Sequence, residues 1–376
     1  PQQDTDAQSF SKPTSASRRS GKTTSVADSG LTLVNPQPFM RPPFSPYAGL
    51  PPRIELSALR LPEERPPPYE SIGVPIATRL VGQLLRARAS DSVQAALGSG
   101  ASEVSVLVEY ANFDSTYHET GVCPPLQRLE ALHAAFMPMR AESQHNISLL
   151  GYFEDPHGPR IGLVYDLPYS VQNRLHATAI SSAETLAPLS LLNLIRKAKP
   201  IQSNTPDVDP PPLEARFKLA LRLTEQLRGL HLNELSHGNI NSSSVIFAMT
   251  SNEASSRRLK CLKSPIWASF DVFSKSTVEG LHRSSNLNIY RHPEDHPYPS
   301  QRDLATDIRF DLYSLALILL EVGIWQSLGD MFKPKYSLAD FKVRLEKLWA
   351  PKLASRCGTA YMRAVQICLQ AADPGE

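Results

Sequence analysis

Residues 213–241 read LEARFKLALRLTEQLRGLHLNELSHGNIN: a long amphipathic stretch that runs straight into a short polar loop. Leu213, Phe217, Ala220, Leu221, Thr224 and Leu227 recur at spacings of 4, 3, 1, 3 and 3. That is one continuous apolar stripe, and it predicts a helix over 213–232. The loop His237-Gly238-Asn239-Ile240-Asn241 follows it. Downstream, Asp311 to Val322 is almost wholly apolar, which predicts a helix buried on every side. Upstream, Ser190 is placed to cap a short helix at Leu191–Lys197, and Pro200–Pro212 is a loop rich in proline and aspartate.

Further towards the N-terminus the period changes. Val104, Val106, Val108 and Tyr110 alternate as in a strand. Leu126–Met137 is a predicted helix with Leu129, Leu132, His133 and Phe136 on one face, and Ile161–Tyr165 is a short buried strand. Arg79, Leu80, Leu84, Leu85 and Val93 have a loose helical spacing over 79–97. Strand, helix and strands followed by a helical half give an α+β class.

The 376 residues carry 41% apolar and 20% charged residues and a net charge of +2, so bulk electrostatics favour neither a nucleic-acid nor an anionic-membrane partner. Of 33 prolines, 14 fall in the first 75 residues, and 11 of the first 30 residues are Ser or Thr. Such a segment cannot bury enough surface to offset its chain entropy, so residues 1–75 are expected to be disordered. The four cysteines, 123, 261, 357 and 368, form no CxxC pair. That excludes a zinc site built on them and suits a reducing, cytoplasmic setting. No secretory signal is visible, and the most apolar run, Leu312–Val322, is too short to span a bilayer and contains Ser314 and Glu321.

The order of motifs from about residue 100 to 376 resembles the protein kinase family. His145-Asn146-Ile147 with Leu149-Leu150-Gly151-Tyr152-Phe153 is similar to the stretch after that family's helix C. Gly162 to Pro168 is similar to its last small-lobe strand and hinge, with Tyr165, Asp166 and Leu167 at the hinge. His237-Gly238-Asn239-Ile240-Asn241 stands at the catalytic loop and Ser269-Phe270-Asp271 at the magnesium triplet. His292-Pro293-Glu294 resembles the end of the activation segment, Asp311-Leu312-Tyr313 the start of helix F, and Cys368-Leu369 with Asp373-Pro374 the segment before a late arginine. Within the family, Gly151-Tyr152-Phe153, Leu163-Val164-Tyr165, Tyr290-Arg291-His292-Pro293 and residues 314–323 resemble fungal kinase-like domains found with prion-inhibition and propagation domains. The resemblance implies a two-lobed fold: a tail over 1–75, a small β-rich lobe over 76–168 and a helical lobe over 169–376, cut short at its end.

It also implies a degenerate site. Phosphoryl transfer needs a base, two magnesium ligands and a cation on the phosphates. Asn239 stands where the catalytic Asp belongs, and an amide is no general base near neutral pH. Ser244 stands for the metal-binding Asn, and Ser269 for the magnesium Asp, with Asp271 two residues on as a displaced ligand. Glu109 or Ala111 takes the lysine slot, so no cation meets a phosphate there, and Gly98-Ser99-Gly100 lies too close to that slot for a phosphate loop. Neither ATP nor magnesium is expected in the cleft, and no metal site is expected elsewhere. Glu130 is an uncertain match for the helix-C glutamate.

His237, Phe270, Glu294 and Asp311 are expected to serve the fold. His237 is a core histidine, Asp311 caps its helix or bonds the catalytic-loop backbone, and Glu294 lacks its usual arginine. Trp267 and Trp325 are expected in the core. The expected function is an inactive scaffold or regulatory binding module in fungal signalling. The rival is an atypical Ser/Thr kinase using Asp271 and Asn241 in displaced roles. Pro66-Pro67-Pro68-Tyr69 fits the PPxY pattern that WW domains read, which implies a WW-domain partner such as a HECT-type ubiquitin ligase. Arg18-Arg19 with Lys22 reads as a solvated stretch, with a phosphorylation or nuclear-import site as the lesser alternative.

Overall fold

Alternating burial along RLVGQLL, residues 79–85, makes this stretch a strand and not the helix its leucine spacing predicts. Leu80, Gly82 and Leu84 point inward, and a Cβ on Gly82 would come within 2.9 Å of Leu61 and 3.1 Å of the Arg60 carbonyl oxygen. Only glycine lets the neighbouring chain lie that close. The computed structural model describes residues 49–62, 79–97, 100–142, 147–156, 158–167, 188–197, 210–247, 262–273, 288–295 and 303–373. All of them fall within one compact unit, Pro38–Glu376.

The chain is mixed α and β. Strands β1 (Leu59–Arg60), β2 (Arg79–Leu85), β3 (Glu103–Asn112), β4 (Ser148–Glu154) and β5 (Arg160–Asp166) form an antiparallel sheet in the order β1-β2-β3-β5-β4. Helix α1 (Asp91–Leu97) precedes β3, and α2 (Ser115–Thr120) and α3 (Gln127–Glu142) follow it. Three short strands, β6 (Leu189–Ser190), β7 (Val245–Phe247) and β8 (Ile266–Trp267), make a second sheet among the helices. Helix α4 (Leu191–Lys197) starts at Ser190, whose Oγ accepts from the Asn193 amide at 3.2 Å.

Helix α5 (Leu213–Leu232) spans the expected residues, but its buried face is Leu219, Ala220, Leu223, Leu227 and Leu230. Leu221, placed in the stripe by its spacing, is 58% exposed. Helix α6 (Leu304–Ile324) begins seven residues before the expected start, capped by Asp303, and is buried continuously from Tyr313 to Ile324. Helices α7 (Leu328–Met331), α8 (Leu338–Arg344), α9 (Lys352–Cys357) and α10 (Thr359–Gln370) follow, with a π turn at Leu345–Trp349 between α8 and α9. One cluster of buried side chains runs from Leu107 in β3 through α3, α5 and α6 to Ala372.

Part of the expected tail is built into the fold. The Tyr152 amide donates to the Pro52 carbonyl oxygen and Ile54 N to Tyr152 O, at 3.0 and 2.8 Å, covering the edge at β4. Leu59–Arg60 extends the sheet beyond β2 at the other side. Ile54, Ala58 and Leu59 bury against Leu80, Leu84, Val106 and Phe153. Proline-rich composition hid the apolar residues of IELSALRL, which bury enough surface to order this segment. Residues 1–48 and 63–75 of the expected tail, with Pro66, Pro67 and Tyr69, lie outside the described residues, as do Arg18, Arg19 and Lys22.

Candidate functional site

The residues singled out by sequence converge where β2 and β3 meet the loop after α5 and the segment after β8. Antiparallel register sets Arg79 opposite Glu109. Arg79 Nε donates to Glu109 Oε1 at 2.8 Å, and Arg79 Nη1 donates to the Ser243 carbonyl oxygen at 2.6 Å. Arg79 Nη2 also reaches Ser269 Oγ. Glu109, 3% exposed, accepts from the Ser269 amide at 2.7 Å and from Ser269 Oγ at 2.8 Å. A cation, Arg79 from β2, thus stands beside Glu109, and the carboxylate neutralises it. The cross-strand register that sets Arg79 across from Glu109 leaves no signal in the sequence of β2 itself.

Ser269 holds a left-handed φ of 60°, a conformation costing about 1–3 kcal/mol unless the surroundings enforce it. Its bonds to Glu109 and Arg79 are that enforcement. On its far side the Ser269 carbonyl oxygen accepts from Asn239 Nδ2 at 3.1 Å. Asn239 Oδ1 accepts from Asn241 Nδ2 at 3.2 Å, and Asn241 Oδ1 accepts from the amides of Ser243 and Ser244 at 2.9 and 3.0 Å. Ser244 is fully buried, and its hydroxyl donates to the Asn241 carbonyl oxygen at 2.7 Å. Asn241 and Ser244 thus bond the loop itself, and Asn239 ties it to Ser269 as well.

Beneath the loop, His237 is fully buried and stacks on Phe270 with ring centroids 4.4 Å apart, while Phe270 meets Phe136 of α3 edge-on at 5.5 Å. Burial pushes the His237 imidazole down to about 4, against the opposing pull of Asp311. Of the two roles expected for Asp311, it takes the second: its carboxylate accepts from the amides of His237 and Gly238 at 2.6 and 2.9 Å, and from His231 Nε2 at 3.2 Å. Gly238 has φ +74°, and a Cβ there would lie 3.0 Å from Asp271 Cβ and 3.5 Å from Asp271 Oδ2. The Asp271 side chain thus lies against Gly238. Its backbone receives Arg128 of α3, with Nε 2.5 Å from the Asp271 carbonyl oxygen. Ser269, and not Asp271, faces Glu109 and Arg79.

Tyr165 is fully buried at the back of β5, edge-on to Phe136 at 6.2 Å. Burial, reinforced by the Glu109 charge, raises its hydroxyl pKa well above the usual value. Asp166 ends β5, Leu167 is buried, and the continuation of the expected hinge lies outside the described residues. Glu130 accepts from the Gly49 amide at 3.1 Å and so serves the wrapping segment, apart from Glu109. Glu294, expected to serve the fold without its usual arginine, is exposed. The buried member of that motif is His292, stacked on Phe310, with Nε2 3.6 Å from Asp373, which also pairs with Lys342.

Two cavities flank this centre. One of about 270 Å³ lies behind Phe270, among Phe136, Leu230, Ile266 and Trp267. The other, about 320 Å³, lies before the loop among Gly238, Asn239, Tyr290, Arg291, Asp307 and Asp311. Among the described residues no three His, Cys, Asp or Glu side chains stand close enough to hold a metal ion. The arrangement offers hydrogen bonds and a neutralised charge pair. No known protein family matches the sequence, and no curated protein matches it either.

Proposed function

We propose that this chain carries a degenerate, two-lobed protein-kinase-like fold that works as a binding module, a scaffold or regulated adaptor, without transferring phosphate. One observation carries the reading: Arg79, Glu109 and Ser269 form a buried bridge at the residues that the resemblance assigns to nucleotide phosphates and magnesium. A carboxylate in the lysine slot repels a triphosphate, and the neighbouring arginine is already neutralised, so entry of a nucleotide would first have to break a buried ion pair. The atypical-kinase rival rests on Asp271, whose side chain lies against Gly238, next to Asn239, while Asn241 holds its own loop together.

The His237–Phe270–Phe136 stack and the Asp311 bonds then have a structural role, keeping the fold in one conformation for a partner to read. PPxY at Pro66–Tyr69 is the proposed recruitment motif for a WW-domain protein, in a cytoplasmic setting. No described helix is long and apolar enough to cross a membrane.

Thermal unfolding with and without millimolar ATP and magnesium tests the reading. A ligand that binds the native state raises the midpoint by mass action. The expected result is no shift. A magnesium-dependent rise, or transfer of labelled phosphate that is lost on Asp271→Asn, would return the chain to the active kinases.

A further inference from the structure

Away from the cleft, one face of the helical part carries charge that the net +2 of the chain conceals. Between Lys333 and Arg363 the sequence holds eight Lys or Arg and only two carboxylates. Both carboxylates are engaged: Asp340 accepts from Ser337 Oγ at 2.8 Å, and Glu346 lies 3.6 Å from Lys342. Lys333, Lys335, Arg344, Lys347 and Lys352 are exposed. Three of them lie by aromatic rings. Arg344 sits 4.3 Å over Tyr336, with Lys335 5.9 Å from the same ring, and Lys352 sits 3.9 Å over Trp349.

Val343 and Leu348 stand among these cations, 46% and 52% exposed. Side chains five apart diverge on an α-helix. Here the π turn intervenes, with the Ala350 amide donating to the Leu345 carbonyl oxygen at 2.8 Å. Leu348 lies within that turn, and such turns recur at functional surfaces.

Five cations around two apolar side chains and two aromatic rings match the chemistry of an anionic lipid surface. Four of the five are lysines, hydrated point charges that neutralise a layer of phosphates without fixed geometry. Forked recognition of carboxylates in an acidic peptide favours arginine instead. Trp and Tyr suit a boundary that is wet on one side and apolar on the other. We propose that the face built from residues 333–352 is a peripheral docking surface for a bilayer rich in anionic phospholipid. Leu348 and Val343 enter the headgroup layer, and the lysines pair with its phosphates. This surface does not depend on whether the cleft is inert.

Sedimentation of the full chain with vesicles tests it. The protein is expected to bind vesicles of equal parts phosphatidylcholine and phosphatidylserine at low salt, and to release as salt screens the charges. It should leave phosphatidylcholine vesicles in solution. Lys347→Gln with Lys352→Gln weakens binding roughly thirtyfold, and Leu348→Ser weakens it at unchanged charge. Lys218→Gln with Arg222→Gln removes the same charge from exposed positions on α5 and leaves binding intact. Equal loss in that control pair, or no phosphatidylserine-dependent sedimentation at low salt, overturns the proposal. So would retention on polyglutamate that needs Lys347 and Lys352 while vesicles go unbound, which would assign the face to an acidic protein partner.

Discussion

A carboxylate as buried as that of Glu109 persists because both its oxygens are answered. Oε1 receives Arg79 Nε and Ser269 Oγ, and Oε2 receives the Ser269 amide. Arg79 is itself only 15% exposed along its side chain, so solvent screens the pair weakly. Removing one partner strands the other, whereas replacing both with apolar residues removes the desolvation cost as well. Arg79→Met is therefore expected to lower stability by about 3–5 kcal/mol, and Arg79→Met with Glu109→Met to recover most of it. Urea midpoints at constant slope measure both. The recovery should stop short of wild type because Ser269 loses the bonds that enforce its left-handed backbone. Ser269→Gly in the double variant should restore about 1 kcal/mol of that. A loss below 1 kcal/mol for Arg79→Met alone would mean that the bridge does not form in solution.

Helix α6 shows how an element can carry opposed titrations. Glu321, in its last turns, is fully buried, and its Oε1 accepts from Tyr290 Oη at 2.8 Å and from the Leu328 amide at 2.7 Å. Burial pushes its carboxyl up from 4.5 to about 7. The unfolded chain then ionises first as pH rises, so Glu321 costs stability progressively from about pH 4.5 to 7. His237, bonded through its amide to Asp311 of the same helix, is held down at about 4 from 6.5. The unfolded chain protonates first as pH falls, so His237 costs stability from about pH 6.5 down to 4. The two slopes have opposite sign and largely cancel in that window. Glu321→Gln keeps an acceptor for Tyr290 and Leu328 and removes one slope. Its stability is expected to rise with pH between about 4.5 and 6.5, where the wild type stays nearly flat, and to exceed wild type at pH 8 by about 3 kcal/mol. Equal pH profiles for the two proteins would refute this. Helices of this kind were legible in the sequence because a long apolar pattern fixes them locally. Leu80, Val81, Leu84 and Leu85 fit a helix and a strand alike, so β2 was not legible. Neither was Arg79, whose place depends on cross-strand register. Asp311, His237 and Phe270 could be placed from motif order alone. The Glu294 and His292 exchange could not, since it depends on which of two neighbouring side chains turns inward.

The five-stranded sheet and the helices meet through one shared apolar core and two arginine staples. Arg79 reaches from β2 to the Ser243 carbonyl oxygen, and Arg128 from α3 to the carbonyl oxygens of Asp271 and Ser236, the latter at 3.3 Å. All three acceptors are backbone atoms of segments beside the His237 loop, so each staple ties the sheet side to the same few residues. On the proposed reading this matters for the whole molecule. An active kinase has a nucleotide to bridge its two parts, while this chain has to hold its parts together without one. The wild type is expected to unfold in a single transition, with calorimetric and van't Hoff enthalpies equal. Replacing both arginines, as Arg79→Met with Arg128→Met, leaves the Glu109–Ser269 hydrogen bonds and apolar contacts across the junction, and the apolar contacts are non-directional and tolerate sliding. The van't Hoff enthalpy should then fall below the calorimetric value, and protease should cut near the junction before global unfolding. A double variant that is merely less stable and still unfolds in one step would locate the coupling in the Leu107-to-Ala372 core, leaving the staples to fix geometry alone.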